Sequence, residues 1–335
     1  MGHLSSPMDN LCHSLAGAAI AQAGFARRLP RATLLAVVAA NIPDVDAFTY
    51  FGGDAAFAVS FRRGWTHGIP ALMVWALLLA GVFSWWSRRR PVALSATSAA
   101  RAQADGASAS TAGIPWLAYL PLAAIAVVSH PALDWLNTYG VRFLMPFSNE
   151  WFYGDALFIV DPTLIGLFGL GWFASSRLLA TGSRRAEIPA RAALIAAVAY
   201  IAAMKGMSES TRYAVERQAR TRLKRTQLMV APLPLSFTRR EVMMQSAPNI
   251  YRSSAAWVGL HAHLGGAVTT EPMGATKEVV AAVRGTIAGE RFLRWSRFPY
   301  FVRGTGRDSG TVFVGDARYA SGTEESWAGI RVPLK

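Results

Sequence analysis

The sequence predicts a mainly α membrane helical bundle, about four spans plus an N-terminal short helical hairpin, joined to a C-terminal mainly β soluble domain. Composition comes first: 52% of the 335 residues are hydrophobic and only 16% are charged, which excludes an ordinary soluble enzyme. Second, four apolar stretches approach the roughly 20 residues that a bilayer crossing needs. Third, beyond residue 205 these give way to Pro and Gly punctuation with strand-like alternation.

Two short apolar segments, 14 to 26 and 32 to 42, open the bundle as a tight hairpin or re-entrant pair, because neither is long enough for a full crossing. Clear spans follow at 65 to 86, 114 to 128 and 156 to 176, with a weaker alanine-rich one at 192 to 204. Residues 94 to 113 are small, polar and low in complexity, and read as a flexible linker. The membrane-embedded domain is thus placed at 8 to 205 and the extramembrane domain at 206 to 335. The latter opens on a polar helix, "SESTRYAVERQARTRLKRTQ", and carries the strand-like runs "YFVRG", "TVFVGDARY" and "WAGIRVPL". No basic region precedes the first apolar run, so no removable signal peptide is expected, and the opening MGHLSS fits the myristoylation pattern only loosely.

Arginine placement orients the bundle. Of 14 Lys and Arg before residue 205, 11 fall in three stretches, at 27 to 31, 88 to 101 and 177 to 191. The positive-inside rule makes these cytoplasmic. The opposite loops hold only Arg62, Arg63 and Arg142, and that face carries eight of the ten acidic residues of this half. With four spans, the C-terminal domain shares the outer side with those loops.

On this map the histidines gather at one end. His13 precedes the first short helix, Asp44 and Asp46 follow the second in "ANIPDVDAF", His67 starts a span in "RRGWTHG", and His130 and Asp134 leave one in "HPALDW". His130 and Asp134 are spaced i, i+4, so they share a helix face. From His13 to Arg27 is 14 residues and from Arg31 to Asp44 is 13, so at about 1.5 Å per residue the hairpin arms return to one depth. Cys12 is the single cysteine, which rules out multi-thiolate sites and leaves nitrogen and oxygen donors. Imidazole with carboxylate suits Zn²⁺, with Mn²⁺ or Fe as alternatives, for one or two ions.

A lone histidine at a membrane edge is ordinarily a hydrogen-bonded interfacial residue, and an i, i+4 His/Asp pair is ordinarily a cap or ion pair. The joint occurrence outweighs those readings, because ionisable groups at a membrane edge are costly and usually functional. His261 and His263 alternate along one face and read as a solvated strand, while His3 belongs to the terminus. Trp65, Trp85, Trp86, Trp116, Trp135 and Trp151 read as interfacial belts. "GTGRDSG" lacks a following helix and reads as a turn between strands.

The elements "MDNLCHSLAGAAIAQAG", "NIPDVDAF", "GWTHG", "HPALDWLNTYG" and "YGDALFIVDP" together resemble the bacterial inner-membrane metal-dependent hydrolases of the YdjM type, over residues 8 to 165. The order His, Asp, His, then H-x-x-x-D is more distantly similar to the zinc-dependent phospholipase C and S1/P1 nuclease group. That likeness implies His13, Asp44 or Asp46, His67, His130 and Asp134 as metal ligands, with Asp134 able to bridge two ions. The chain has no further His and H-x-x-x-E pair in its membrane half, which leaves a three-metal site incomplete.

The resulting expectation is a multi-pass inner-membrane hydrolase that cleaves a phosphoester of a lipid or lipid-linked substrate by metal-activated water, with site and C-terminal domain on the periplasmic side. Asp44, Asp46 and Asp134 are the candidate catalytic carboxylates; of the DxD pair, one is expected to ligate and the other to orient a histidine or act as base. The sequence from residue 205 onward holds 20 basic against 10 acidic residues, including Arg212, Arg217, Arg220, Arg222, Lys224 and Arg225, a patch suited to anionic membrane lipid. No nucleic-acid motif accompanies it. An ion-binding transporter or channel and a non-catalytic scaffold with a structural metal are the alternatives; the first needs polar residues through the depth of several spans, of which 65 to 86 and 114 to 128 hold almost none, the cluster sitting at one end.

Overall fold

The computed structural model describes residues 7–52, 54–90, 114–219, 227–259, 261–319 and 328–334. The segment read as a linker, 94 to 113, lies outside them, as do Arg220, Arg222, Lys224 and Arg225 of the basic patch.

Helix α1 (Pro7–Ile20) runs into a π-helical turn, Ala21–Phe25, and α2 (Ala32–Ala39) returns beside it. The arms touch because Gly17 faces the Ala36 carbonyl, where a Cβ would stand 2.5 Å from the oxygen. α1 starts earlier than its apolar run, with Pro7 in its first turn, where the missing N–H costs no helical hydrogen bond. His13 therefore lies inside the helix, not ahead of it as the sequence led us to expect. A 3-10 stretch, Ile42–Gly52, bends 45° from α2. The short α3 (Ala55–Phe61) follows, capped by the Asp54 carboxylate, which accepts from Phe57 N at 2.8 Å.

Four helices among the described residues are long and apolar enough to cross a membrane: α4 (Ile69–Arg89), α5 (Trp116–Trp135), α6 (Pro162–Ala180) and α7 (Ile188–Ala219). Their starts are set by caps and prolines rather than by hydropathy. Pro70 lies in the first turn of α4, and Asp161 opens α6 by accepting from Thr163 N at 3.0 Å and Leu164 N at 3.2 Å. Residues 65–68 and 156–161 are loop in consequence. α5 continues through Pro131 to Trp135, which keeps His130 and Asp134 helical. α7 is one helix through residue 206, where composition places the domain edge, because no proline interrupts the polar stretch that follows. Leu35, Leu79, Leu122 and Val127 form a core between α2, α4 and α5, while Ala19, Leu164, Phe168 and Ala197 form one between α1, α6 and α7.

Beyond the bundle, the described residues form two antiparallel sheets. β1 (Gln227–Pro232), β2 (Arg239–Ser246), β3 (Asn249–Val258) and β4 (His261–Pro272) lie in sequence order, and β5 (Pro299–Arg303), β6 (Thr311–Asp316) and β7 (Gly329–Pro333) form the second sheet. β5, β6 and β7 are the three strand-like runs of the sequence, and residues 304 to 310 turn between β5 and β6. His261 and His263 are exposed on β4. Between the sheets come two short helices, α8 (Lys277–Arg284) and α9 (Ile287–Trp295), capped by the Thr276 and Thr286 hydroxyls. They bury Val279, Val283, Phe292 and Trp295 against Val59 and Tyr139 of the membrane half. The C-terminal domain thus sits on the end of the bundle that carries the histidines. Asp155 clamps it there: both Nη atoms of Arg297 donate to its carboxylate at 2.8 and 2.9 Å, and Arg212 Nη2 adds a third contact at 2.9 Å.

Candidate metal centre

Four segments bring the candidate residues together. α1 supplies His13, the 3-10 stretch supplies Asp44 and Asp46, the turn before α4 supplies His67, and the last turns of α5 supply His130 and Asp134. All six are buried, none more than 8% exposed. One ligand atom each from Asp44, His67, His130 and Asp134 lies within 4.8 Å of the others, a group that can hold a metal ion.

The nitrogen tethers decide which atoms face inward. His130 Nδ1 lies 2.6 Å from the Ala40 carbonyl oxygen, which can only accept, so Nδ1 carries the proton. His67 Nδ1 lies 2.9 Å from Thr66 Oγ1 and 3.3 Å from Asp46 Oδ2. Since the Thr66 hydroxyl also reaches Asp46 Oδ2 at 2.9 Å, this ring too is held through Nδ1. A carboxylate that holds a histidine's far nitrogen is the usual outer support of a metal site. Both Nε2 atoms are buried without a hydrogen-bond partner among the described residues.

Those Nε2 atoms point at carboxylates. Asp134 Oδ2 is 3.4 Å from each, and Asp44 Oδ1 is 3.8 Å from His67 Nε2 and 3.7 Å from His130 Nε2. With both rings protonated at Nδ1, lone pairs meet lone pairs, so protons or a cation must stand between them. Donor atoms of a tetrahedral site with bonds of about 2.0–2.2 Å stand about 3.4 Å apart, which these separations approach. The residues present fit a divalent ion.

His13 and Asp46 occupy the rim. The His13 ring stacks on His130 with centroids 3.9 Å apart, and its Nε2 lies 3.5 Å from Asp134 Oδ1. Asp46 is engaged by Arg63 N at 2.8 Å as well as by Thr66.

Two arginines complete the centre. Arg63 Nη2 lies 2.7 Å from Asp134 Oδ1 and its Nη1 donates to Asn137 Oδ1 at 3.0 Å, while Arg62 Nη2 donates to Asp44 Oδ1 at 3.0 Å. Three carboxylates against two guanidiniums leave one net negative charge with neutral imidazoles. Arg142 anchors the segment by donating to the carbonyls of Ser60, Phe61 and Arg62; burial pulls its pKa down to about 10, still cationic at neutral pH. Sequence reading placed Arg62 and Arg63 only in an outer loop. The signal for them was their exception to the charge rule: two adjacent arginines on the acidic face, a few residues before His67, mark a local use for positive charge.

Asp155 and Asp161 do not join the centre, since the first clamps the C-terminal domain and the second caps α6 and accepts from the Tyr200 hydroxyl at 2.8 Å. Arg212, from the basic patch, is committed to Asp155.

Comparison with known proteins is consistent with this arrangement. The family described as YdjM inner membrane protein matches residues 8–209, a stretch holding all six site residues. The uncharacterized protein YfhP of Bacillus subtilis (strain 168) is 26% identical over 135 residues, covering 40% of this chain and 34% of that protein. The chain thus spans about a third of the length of that curated relative. No solved structure matches the chain.

Proposed function

The chain belongs to the YdjM inner membrane protein family, and from that membership we propose that it is a membrane-bound metal-dependent hydrolase acting on the phosphoester of a lipid or lipid-linked substrate. The observation that carries this reading is the pair of imidazole Nε2 atoms facing two carboxylates while their Nδ1 atoms are tethered. Asp44, His67, His130 and Asp134 would hold one divalent ion, Zn²⁺ by donor chemistry, with Mn²⁺ or Fe compatible. One ion is favoured over two because Arg63 covers the Oδ1 side of Asp134 that a second would share with His13.

Such an ion would supply Lewis acidity, easing the ionisation of a water and neutralising charge on a phosphoryl oxygen. The chain's own groups do the rest. Asp46 and Thr66 orient His67, and His13 packs flat on His130 to fix that ring. Asp46 Oδ1 makes no hydrogen bond among the described residues, with the Arg62 Nε 3.6 Å from it, and is the carboxylate oxygen we assign to accept a proton. Arg62 and Arg63 place positive charge where an anionic phosphoester would approach.

The test is hydrolysis of a phosphoester panel, including phospholipids in mixed micelles, by metal-loaded protein and matched variants. Asp134→Asn and His67→Ala should each lose at least about 10- to 100-fold, and His261→Ala, on exposed β4, should be near neutral. Equal turnover by wild type and Asp134→Asn would refute the catalytic reading. The burial of every ligand favours one second reading, a scaffold with a structural metal; metal-loaded wild type inactive across the panel selects it.

A further inference from the structure

The loop that leaves α5 touches the metal centre on one side and the C-terminal domain on the other. Arg63, whose Nη2 lies 2.7 Å from Asp134 Oδ1, donates through Nη1 to Asn137 Oδ1 at 3.0 Å, and the same oxygen accepts from Tyr139 N at 2.9 Å. The Arg63 guanidinium also stands over the Tyr139 ring, 4.6 Å from its centroid, where an aromatic face attracts a cation. The Arg63 backbone is left-handed, at φ +51°, a conformation that a residue with a side chain keeps where its surroundings hold it.

Tyr139 in turn is gripped by the C-terminal domain. Its ring packs against Trp295, the last residue of α9, with centroids 5.5 Å apart, and against Tyr319 at 6.3 Å. Arg318, two residues beyond β6, is fixed by Asp316, to which its Nε and Nη2 donate at 2.9 and 3.0 Å. Its remaining Nη1 reaches across to the Thr138 carbonyl at 2.7 Å. Asn137, Tyr139 and Trp295 are buried, and close-packed interiors transmit displacement rather than absorb it. The far end of this chain of contacts is a ligand. With Oδ1 of Asp134 held by Arg63, Oδ2 faces the Nε2 atoms of His67 and His130, 3.4 Å from each.

We propose that the C-terminal domain sets the geometry of the metal centre through Tyr139. Trp295 and Arg318 hold residues 138 and 139, Tyr139 holds the Arg63 guanidinium, and Arg63 aims the Asp134 carboxylate at the ion. Tyr139, Trp295 and Arg318 are positioning residues, and their coupling to the ion rests on the reading of Asp134 as a metal ligand.

Competition titration of Zn²⁺ against the full chain in detergent, on protein shown to be folded, tests it. Tyr139→Leu and Trp295→Leu should each weaken Zn²⁺ binding about 10-fold, the low end of the range for groups that support a ligand without touching metal. Tyr139→Phe keeps the ring and removes a hydroxyl that has no hydrogen-bond partner among the described residues, so its affinity should stay within about 2-fold of wild type. Ile250→Ala, in the core of the first sheet, should lower the thermal midpoint and leave Zn²⁺ affinity unchanged. Tyr139→Leu lies in the membrane half and keeps the test open if Trp295→Leu does not fold. Wild-type affinity in Tyr139→Leu overturns the coupling alone. So does an equal loss in Ile250→Ala and Tyr139→Leu, which would make the effect one of general stability. Wild type that binds no Zn²⁺ overturns the metal reading and the coupling with it.

Discussion

His130 Nδ1 lies 2.6 Å from the Ala40 carbonyl oxygen, so the end of α2 dictates which nitrogen of an α5 histidine faces the site. The tether predicts metal affinity that depends on support as well as on ligands. Wild type should bind about one equivalent of Zn²⁺ in a competition titration. His130→Ala should abolish tight binding, while Asp46→Asn, which removes no ligand but weakens the hold on His67 and the contacts to Arg62 and Arg63, should cost about 10- to 100-fold. Tight binding undiminished in His130→Ala would place the ion elsewhere.

Much of this centre was legible before the fold. His130 and Asp134 share a helix face at i, i+4, and equal hairpin arms bring His13 and Asp44 to one depth; both follow from counting residues. What counting could not reach was the division of labour between Asp44 and Asp46. That depends on Thr66 and the Arg63 amide closing on Asp46 Oδ2, contacts set by a turn whose shape hydropathy does not encode. α8 and α9 were missed for another reason. Strand-like runs on either side dominated the composition, although Thr276 and Thr286 caps with Val279 and Val283 one turn apart carry a helical signature.

Arg63 offers a test of how the centre survives without an ion. Its guanidinium and Asp134 are both nearly inaccessible, 3% and 1% exposed. Removing one partner of such a buried pair typically costs about 3–5 kcal/mol. Arg63→Met should therefore lower the thermal midpoint of metal-free protein sharply in detergent, and Zn²⁺ should recover part of the loss by supplying another cation beside Asp134. A midpoint indifferent to both the substitution and Zn²⁺ would mean that Asp134 is not held by charge.

The C-terminal domain should be acid-sensitive through Asp316. Burial works to raise its pKa, but the Arg318 guanidinium and hydrogen bonds from Arg318 and Ser296 outweigh it and hold the group below the ordinary value of 3.8. A carboxylate depressed on folding contributes stability that is full above its unfolded value and is lost as pH falls through the folded one. Wild type should thus lose stability below about pH 3.8 more steeply than Asp316→Asn, which lacks the titrating group and is weaker at neutral pH. Parallel acid limbs in the two denaturation profiles would remove Asp316 from the account.

The last prediction concerns which way the bundle faces. The three arginine stretches meet at one end: Arg27 donates to the Ser183 carbonyl, Arg31 Nη2 to the Arg90 carbonyl at 2.9 Å, and Arg191 Nε to the Ala23 carbonyl at 2.7 Å. The metal centre and the C-terminal domain occupy the other end, where Asp155 joins them. If arginine-rich turns stay on the cytoplasmic side, the candidate centre lies at the periplasmic end of the bundle, and a substrate of the proposed activity would be met at the outer leaflet. In a Cys12→Ser background, single cysteines at Asn149 and Ser309 should react with a membrane-impermeant maleimide on intact spheroplasts, whereas one at Thr181 should react only after permeabilisation. All three positions are exposed on the protein, so protection at any of them reports the membrane rather than the fold. The reverse pattern would turn the bundle over and put the site on the cytoplasmic face.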